Sequence, residues 1–148
     1  MRALVQRVKR ASVSVNGTVI SSIGAGMVIL LGIKSDDTPE DADFLAARCA
    51  QLRIFGDVNE KMNLSIQDVQ GEVIVVSQVT LYADTRKGNR PSLTEAAPAS
   101  LAEGLYERFV DSLRKVLGAE RVKTGVFRAM MDVEIINAGP VTVLVESQ

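Results

Sequence analysis

The residues with the clearest potential for chemistry follow a short apolar run at positions 73–76. They are Ser77, Gln78 and Thr80, which provide hydroxyls and an amide. Backbone N–H groups left unpaired at such a strand end can stabilise a developing oxyanion. The same side chains can equally cap the loop that follows their own strand. The pattern therefore predicts a polar strand end and leaves both roles open.

A second unusual segment is Asn137-Ala138-Gly139-Pro140-Val141-Thr142, which lies between two stretches rich in β-branched residues. Proline cannot donate to a sheet ladder, so Gly139-Pro140 must form a bulge, a turn or a deliberate break. A tight hairpin turn is the favoured interpretation from this stretch alone. A Gly-Pro bond also adopts the cis form at modest cost, and its two carbonyls would then point in a fixed, unusual direction.

The chain contains no histidine and one cysteine, Cys49. Without histidine, neither a Ser-His nor a Cys-His nucleophile pair can form, and the usual zinc ligand sets are excluded as well. Cys49 shares a helical pattern with Leu45 and Leu52, which indicates a small buried hydrophobic residue. Catalysis would depend on backbone groups, hydroxyls, carboxylates, lysine, arginine or the substrate itself. We expect no metal site and no cofactor.

Composition favours one domain over residues 1–148, because 47% of the residues are hydrophobic. The formal net charge of −1 provides no global basic field, so we expect no DNA partner. Arg2, Arg7, Lys9 and Arg10 interrupt the first apolar residues, which argues against a signal peptide. No apolar run approaches membrane-spanning length. We therefore expect a cytoplasmic protein that does not bind membranes.

Strands dominate the first third of the predicted fold. Alternation predicts strands over residues 2–9 and 11–15, and Asn16-Gly17 favours a type I′ hairpin turn. Residues 18–23 return as the partner strand, and residues 27–33 form a continuous apolar run typical of a buried central strand. The opening third is therefore predicted to be an antiparallel meander.

Two helices are also predicted. The first begins after Thr38, a capping residue followed by Pro39, and runs to about Arg53. The second has capping-box spacing at Ser100-Leu101-Ala102-Glu103, and Gly118 ends it. With about seven strands, these elements predict an α+β fold. We expect a mostly antiparallel sheet or partial β-barrel with two main helices packed on one side.

The polar strand end and the Gly-Pro segment together resemble a known signature. Ser77-Gln78-Val79-Thr80-Leu81, combined with residues 137–142, resembles the paired motif of the D-aminoacyl-tRNA deacylases. The resemblance covers the whole chain, including residues 1–8, the loop Gly88-Asn89-Arg90-Pro91-Ser92 and the segment 124–131. Both motifs, at this separation in a chain of this length, are specific to that family.

The resemblance implies a homodimeric enzyme that hydrolyses the ester joining a D-amino acid to the acceptor end of tRNA. It also implies activity on glycine mischarged onto tRNA(Ala). In this family the Gly-Pro bond is cis and reaches across the dimer into the other subunit's pocket, and we carry this onto Gly139 and Pro140. Their carbonyls would hold the α-amino group and leave no room for an L side chain.

Two chemical routes stay open for the catalytic segment Ser77, Gln78, Val79 and Thr80. In one route the Thr80 hydroxyl is the nucleophile, which requires an activating base that a histidine-free chain does not readily supply. In the other route the 2′-OH of the terminal adenosine activates water or the ester, while backbone N–H groups of this segment stabilise the oxyanion. The absence of histidine favours the RNA-assisted route.

Further binding residues follow from the same resemblance. Phe127, Met131 and Arg7 are candidates to line the adenine or amino-acid pocket, with ordinary core packing as the alternative for Phe127 and Met131. The family often has phenylalanine where this chain has Val79 and Leu93, and loss of those rings would loosen the adenosine pocket. If position 79 acts through its backbone, valine costs little there.

Several cations could meet phosphates of the acceptor end. They are Arg7 in the first strand, and Arg86, Lys87 and Arg90 in the middle loop. A solvated surface is the alternative for all of these charges. Two other function classes are also compatible with the sequence, namely an RNA-end binding module without chemistry and a small dimeric scaffold or ligand-binding protein.

Overall fold

The computed structural model describes residues 1–148. The strands are β1 (Arg2–Val15), β2 (Thr18–Ile23), β3 (Gly26–Gly32), β4 (Phe55–Gly56), β5 (Met62–Leu64), β6 (Glu72–Ser77), β7 (Val122–Thr124) and β8 (Asp132–Glu146). The helices are α1 (Pro39–Gln51) and α2 (Ala99–Leu117), with short 3₁₀ helices at Val79–Tyr82 and Ala119–Arg121. None of these helices combines the length and hydropathy needed to cross a bilayer.

Strand β1 organises the main sheet because it pairs with three other strands. Strand β8 runs antiparallel along one edge of β1. On the other edge, β3 pairs with residues 2–8 and β2 with residues 11–15. Strands β2 and β3 therefore follow each other along one edge, and the predicted meander is wrong in its strand order. The cause is the length of β1, whose 14 residues accommodate two successive partners.

The sheet curls until its two ends meet. Strands β6 and β7 extend it in parallel beyond β3, so the sheet is mixed, with antiparallel pairing around β1. At the far end, Ser21 Oγ donates to the carbonyl of Thr124, and Lys123 Nζ donates to the carbonyl of Ser22 at 2.7 Å. These side-chain contacts bring β2 to β7. The predicted α+β class with a partial barrel is confirmed.

Both α-helices pack on one face of the sheet, as predicted. Leu45 of α1 and Phe109 of α2 are fully buried in the same cluster as Val5 and Ile29 of the sheet. The opposite face carries a smaller buried cluster of Val8, Ala11, Val13, Ile23, Val28, Ile74 and Val76. Successive strand residues therefore alternate between two apolar clusters, as the pleat of a curled sheet requires.

The two helices begin in different ways. At α1, Thr38 Oγ1 accepts the N–H of Asp41, and the Asp41 carboxylate accepts the N–H of Thr38. This capping box confirms the predicted start of the first helix. Helix α2 instead follows Pro98, with no side-chain cap, so the capping box predicted at Ser100 is wrong. The fixed φ of proline already sets the direction of entry. Gly118, at φ +100°, ends α2.

Strand β8 passes through Gly139-Pro140 without reversing direction. Thr142 pairs with Gln6 and Asn137 pairs with Val8, with a register shift between the two pairs. The favoured hairpin turn is therefore wrong, and the segment is an irregularity within one long strand. Because β1 is long enough to pair with β8 both before and after Gly139-Pro140, the ladder resumes after the proline.

The parallel pairing of β3 with β6 leaves no space for a side chain at Gly26. A Cβ there would lie 1.8 Å from the carbonyl oxygen of Glu72, so Gly26→Ala must push the strands apart. We expect this variant to lose roughly 3 kcal/mol or more of unfolding free energy, measured by urea denaturation. Gly104 is an exposed position of α2 where an added Cβ would have no atom within 4 Å. Gly104→Ala should instead gain about 0.5–1 kcal/mol of unfolding free energy. Equal stabilities of the two variants would contradict this packing.

Candidate active site

A cavity of about 400 Å³ lies where β6 ends, beside the first turn of α2. Ser77, Gln78 and Val79 form one wall, and the volume falls within the range of small-molecule sites. The other lining residues are mostly apolar: Ile33, Ala97, Ala99, Ala102, Phe127, Arg128, Ala129 and Met131. No carboxylate and no lysine lines the cavity. Nowhere in the chain do three or more Cys, Asp or Glu side chains gather as a metal site.

The backbone after β6 presents N–H groups at the start of a 3₁₀ helix. The N–H of Gln78 donates to the carbonyl of Leu31 at 2.8 Å, so it is already engaged. The N–H of Leu81 donates to the Gln78 carbonyl at 3.2 Å and closes the first turn. The first N–H groups of a helix have no acceptor within it, and here they belong to Val79 and Thr80. Of these two residues only Val79 lines the cavity, so its N–H is the candidate oxyanion donor of the segment.

Thr80 does not line the cavity, and its side chain is exposed. Its hydroxyl accepts a hydrogen bond from the side-chain amide of Gln78. An amide N–H cannot take up a proton, so this contact does not activate the hydroxyl as a nucleophile. The side-chain hydrogen bonds of Thr80 include no carboxylate and no amine.

Phe127 and Met131 both line the cavity, and each also packs against one of the two apolar clusters. Tyr106 supports Phe127, with ring centroids 5.9 Å apart, and its hydroxyl donates to the carbonyl of Val75 at 2.6 Å. Burial raises the pKa of Tyr106 to about 12, which keeps this donor neutral. Gly125 leaves room for Met131, because a Cβ there would lie 2.6 Å from the Met131 sulfur.

The Gly139–Pro140 peptide bond is cis, and both residues are exposed. The side-chain oxygen of Asn137 accepts the N–H of Val141 at 3.0 Å and so bridges the irregularity. Gly139 has a φ of +120°, which L side chains rarely adopt, and a Cβ there would lie 2.8 Å from Nη2 of Arg7. The backbone angle therefore favours glycine at this position, and a Cβ would also displace the Arg7 guanidinium.

Arg7 is bound to this same segment. Its Nε donates to the carbonyl of Ala138 at 3.1 Å, and its Nη1 donates to the carbonyl of Ile54 at 2.7 Å. Arg7 does not line the cavity, and its guanidinium is engaged within the chain. Arg7 therefore supports the Gly139-Pro140 segment, and its contact with phosphate stays a prediction.

The two motif segments do not meet within one chain. Arg7, beside Gly139, pairs with Met27 near the start of β3, whereas Ser77 pairs with Leu31 near its end. Strand spacing and rise along this path through β8, β1, β3 and β6 separate the segments by roughly 20 Å. Neither Gly139 nor Pro140 lines the cavity.

The loop cations lie away from the cavity. Arg86 donates from Nε and Nη2 to the Asp84 carboxylate at 2.9 and 2.8 Å, which lowers the pKa of Asp84 to about 2. Lys87 and Arg90 are exposed. Their contact with RNA stays a prediction. Val79 and Leu93, which stand where the family often has phenylalanine, are both close to half exposed, so neither is part of the buried core.

Sequence reasoning missed several residues of the cavity wall. Ala97, Ala99 and Ala102 keep the space open because they are small. Arg128 lines the cavity with a φ of +66°, a backbone angle that the sequence does not reveal. Its only advance signal is its place inside the segment 124–131, which carried part of the resemblance.

Comparison with known proteins identifies the family of this chain. The family model described as D-Tyr-tRNA(Tyr) deacylase matches residues 4–146. The chain is 53% identical over 146 residues to the D-aminoacyl-tRNA deacylase of Carboxydothermus hydrogenoformans, covering 99% of both chains. It is also 53% identical over 148 residues to the D-aminoacyl-tRNA deacylase of Desulfatibacillum aliphaticivorans, covering 100% of both.

Solved structures show the same fold. The c-Myc DNA Unwinding Element Binding Protein superposes with a TM-score of 0.96 at 44% identity, covering 100% of this chain and 99% of the other. A probable eukaryotic D-amino acid tRNA deacylase superposes with a TM-score of 0.85, covering 98% of both chains. At 17% identity, that second likeness concerns the fold alone. From the family match and the identities over its whole length, this chain belongs to the D-Tyr-tRNA(Tyr) deacylase family.

Proposed function

We propose that this chain hydrolyses the ester bond of D-aminoacyl-tRNA and releases the D-amino acid and free tRNA. The same activity would remove glycine mischarged onto tRNA(Ala). The observation that carries the proposal is the cavity itself, whose wall is the motif segment Ser77–Val79 and whose size suits a small ligand. The names of the relatives support the same reaction.

We infer an RNA-assisted mechanism, because the cavity wall offers no protein base. The 2′-OH of the terminal adenosine would orient and activate a water molecule beside the ester. The water oxygen bonds to the ester carbonyl carbon, and the carbonyl oxygen becomes an oxyanion that faces the N–H group of Val79. Cleavage of the ester C–O bond then frees the amino acid, and the ribose 3′ oxygen takes the proton.

Chiral selection would come from a second copy of the chain. Gly139 and Pro140 are exposed and lie roughly 20 Å from the cavity of their own subunit by strand geometry. In a dimer their carbonyls, supported by Arg7, would enter the other subunit's cavity and receive the α-amino group. A rigid backbone at that position excludes an L side chain by steric clash, whereas glycine has no side chain to exclude.

An apolar row on the sheet suits a two-fold interface. Leu30, Leu4 and Leu144 lie side by side on β3, β1 and β8, opposite the helices. Leu144 is 50% exposed within one chain. In a two-fold dimer the same patch meets itself. Because β8 also carries Gly139 and Pro140, dimerisation through this row would bring that exposed segment close to the partner.

The proposal includes a tRNA acceptor end as partner and a cytoplasmic location. The rival RNA-end binding module would use the same cavity without chemistry and would need no rigid segment at Gly139-Pro140. The near-neutral net charge of −1 supports contacts limited to the acceptor tip.

Side-by-side hydrolysis of D-Tyr-tRNA, L-Tyr-tRNA and glycine on tRNA(Ala) tests the reaction. We expect turnover of the D and glycyl esters only. Thr80→Ala should keep kcat/KM within roughly threefold of wild type, because no proton passes through its hydroxyl, whereas loss of a nucleophile costs on the order of 10⁴ or more. Thr85→Ala, an exposed loop threonine, is the matched control. Wild type that cleaves neither D-Tyr-tRNA nor the glycyl ester would overturn the proposal.

Substitution of Arg7 tests the support of the Gly139-Pro140 segment. Arg7→Lys keeps the charge, but an ammonium group lacks the planar set of N–H donors with which Arg7 reaches the carbonyls of both Ala138 and Ile54. We expect the ratio of D-Tyr-tRNA to L-Tyr-tRNA hydrolysis to fall by roughly tenfold or more, equivalent to about 1.4 kcal/mol of discrimination. Arg10→Lys, at an exposed position of the same strand, should leave the ratio unchanged. An unchanged ratio in Arg7→Lys would remove Arg7 from chiral selection.

A further inference from the structure

Arg128 is the one charged residue on the cavity wall. The other lining residues are apolar, apart from Ser77 and Gln78. The side chain of Arg128 is exposed, which places it at the mouth of the cavity rather than at its floor. It forms none of the ion pairs of the structure. A full positive charge therefore stands without a carboxylate partner beside the ligand space.

The backbone at this position would suit a different residue. Arg128 has a φ of +66°, in the left-handed region that favours glycine. The turn is closed by the N–H of Ala129, which donates to the carbonyl of Val126 at 3.1 Å. A side chain in such a conformation at the edge of a site points to a functional reason for keeping it. The arginine is not required by the turn, so its charge is the feature to explain.

We propose that Arg128 binds the phosphodiester that links the terminal adenosine of the substrate to the preceding nucleotide. This inference rests on the proposed function. With the ester carbonyl against Val79, the nucleoside fills the apolar part of the cavity, and its 5′ oxygen leads out through the mouth. A guanidinium matches a phosphate with paired hydrogen bonds, so Arg128 acts as a positioning and specificity residue for polynucleotide substrates.

Other cations do not offer this contact. Arg86 is paired with Asp84, and neither Lys87 nor Arg90 lines the cavity. Arg7 donates to carbonyls of its own chain. A single phosphate ligand at the mouth therefore predicts a small, defined salt dependence, close to that of one neutralised phosphate on a single strand, about 0.7 in the slope of log affinity against log salt.

The test compares Arg128→Gly and Arg128→Lys on two substrates, D-Tyr-tRNA and 3′-O-D-tyrosyl-adenosine, which lacks the phosphate. Arg128→Gly suits the left-handed backbone and so should fold at least as well as wild type. We expect it to lower kcat/KM on D-Tyr-tRNA roughly tenfold and to flatten the salt slope by about 0.7. On tyrosyl-adenosine it should stay within twofold of wild type. Arg128→Lys should keep the salt slope and lose part of the rate.

Lys115→Ala is the matched control, because this exposed cation lies on α2 roughly 20 Å along the helix from Ala102. It should change neither substrate. Equal losses on both substrates in Arg128→Gly, or no loss on D-Tyr-tRNA, would overturn the phosphate role. Wild type that cleaves neither substrate would overturn the proposed function instead. In that case, binding of an acceptor-end RNA without an attached amino acid still decides the inference. Only a phosphate contact makes the binding of Arg128→Gly weaker and less dependent on salt than that of wild type.

Discussion

The pairing of β1 with β8 on one edge and with β2 and β3 on the other is the constraint on which the rest of the molecule depends. It places Arg7 against the Gly139-Pro140 segment and at the same time opposite the start of β3. The parallel pairing of β6 with β3 then places Ser77 at the opposite end of that strand. One ladder therefore supports each motif segment and keeps the two apart, which is why the proposed reaction calls for two chains.

In the proposed chemistry the protein positions the ester and stabilises its negative charge, and no side chain acts as a base. The cavity wall offers a backbone N–H group at a 3₁₀ helix start, an amide, a hydroxyl and apolar surface, but no carboxylate or lysine. Such a site can hold an ester and receive negative charge, while proton transfer is left to the RNA. A site that works by positioning also needs its groups to be held rigidly. Tyr106 supports Phe127, and Arg7 supports Gly139-Pro140, so the groups proposed to contact the ligand need little reorganisation.

Local signals in the sequence predicted much of the fold because they report local physics. Thr38 and Pro39 predicted the start of α1, and the apolar run at 27–33 predicted a buried strand. Pairing over long distances was harder to infer. A proline in a strand marks an edge, a bulge or a turn, and β8 is an edge strand that pairs only with β1 and continues past Pro140 after a register shift. Arg128 escaped notice because a positive φ at a non-glycine residue leaves no mark in the sequence.

Each active site is proposed to combine the cavity of one chain with Gly139-Pro140 of the other, and mixed dimers test this most directly. Ala102→Trp fills the cavity of its own chain, and Gly139→Val strains a backbone at φ +120°. A heterodimer with one of these changes in each chain has one intact composite site, and we expect about half of the wild-type D-Tyr-tRNA hydrolysis. A heterodimer of the double variant with wild type has no intact composite site and should be inactive. The reverse pattern, with activity only when both changes share one chain, would contradict the account.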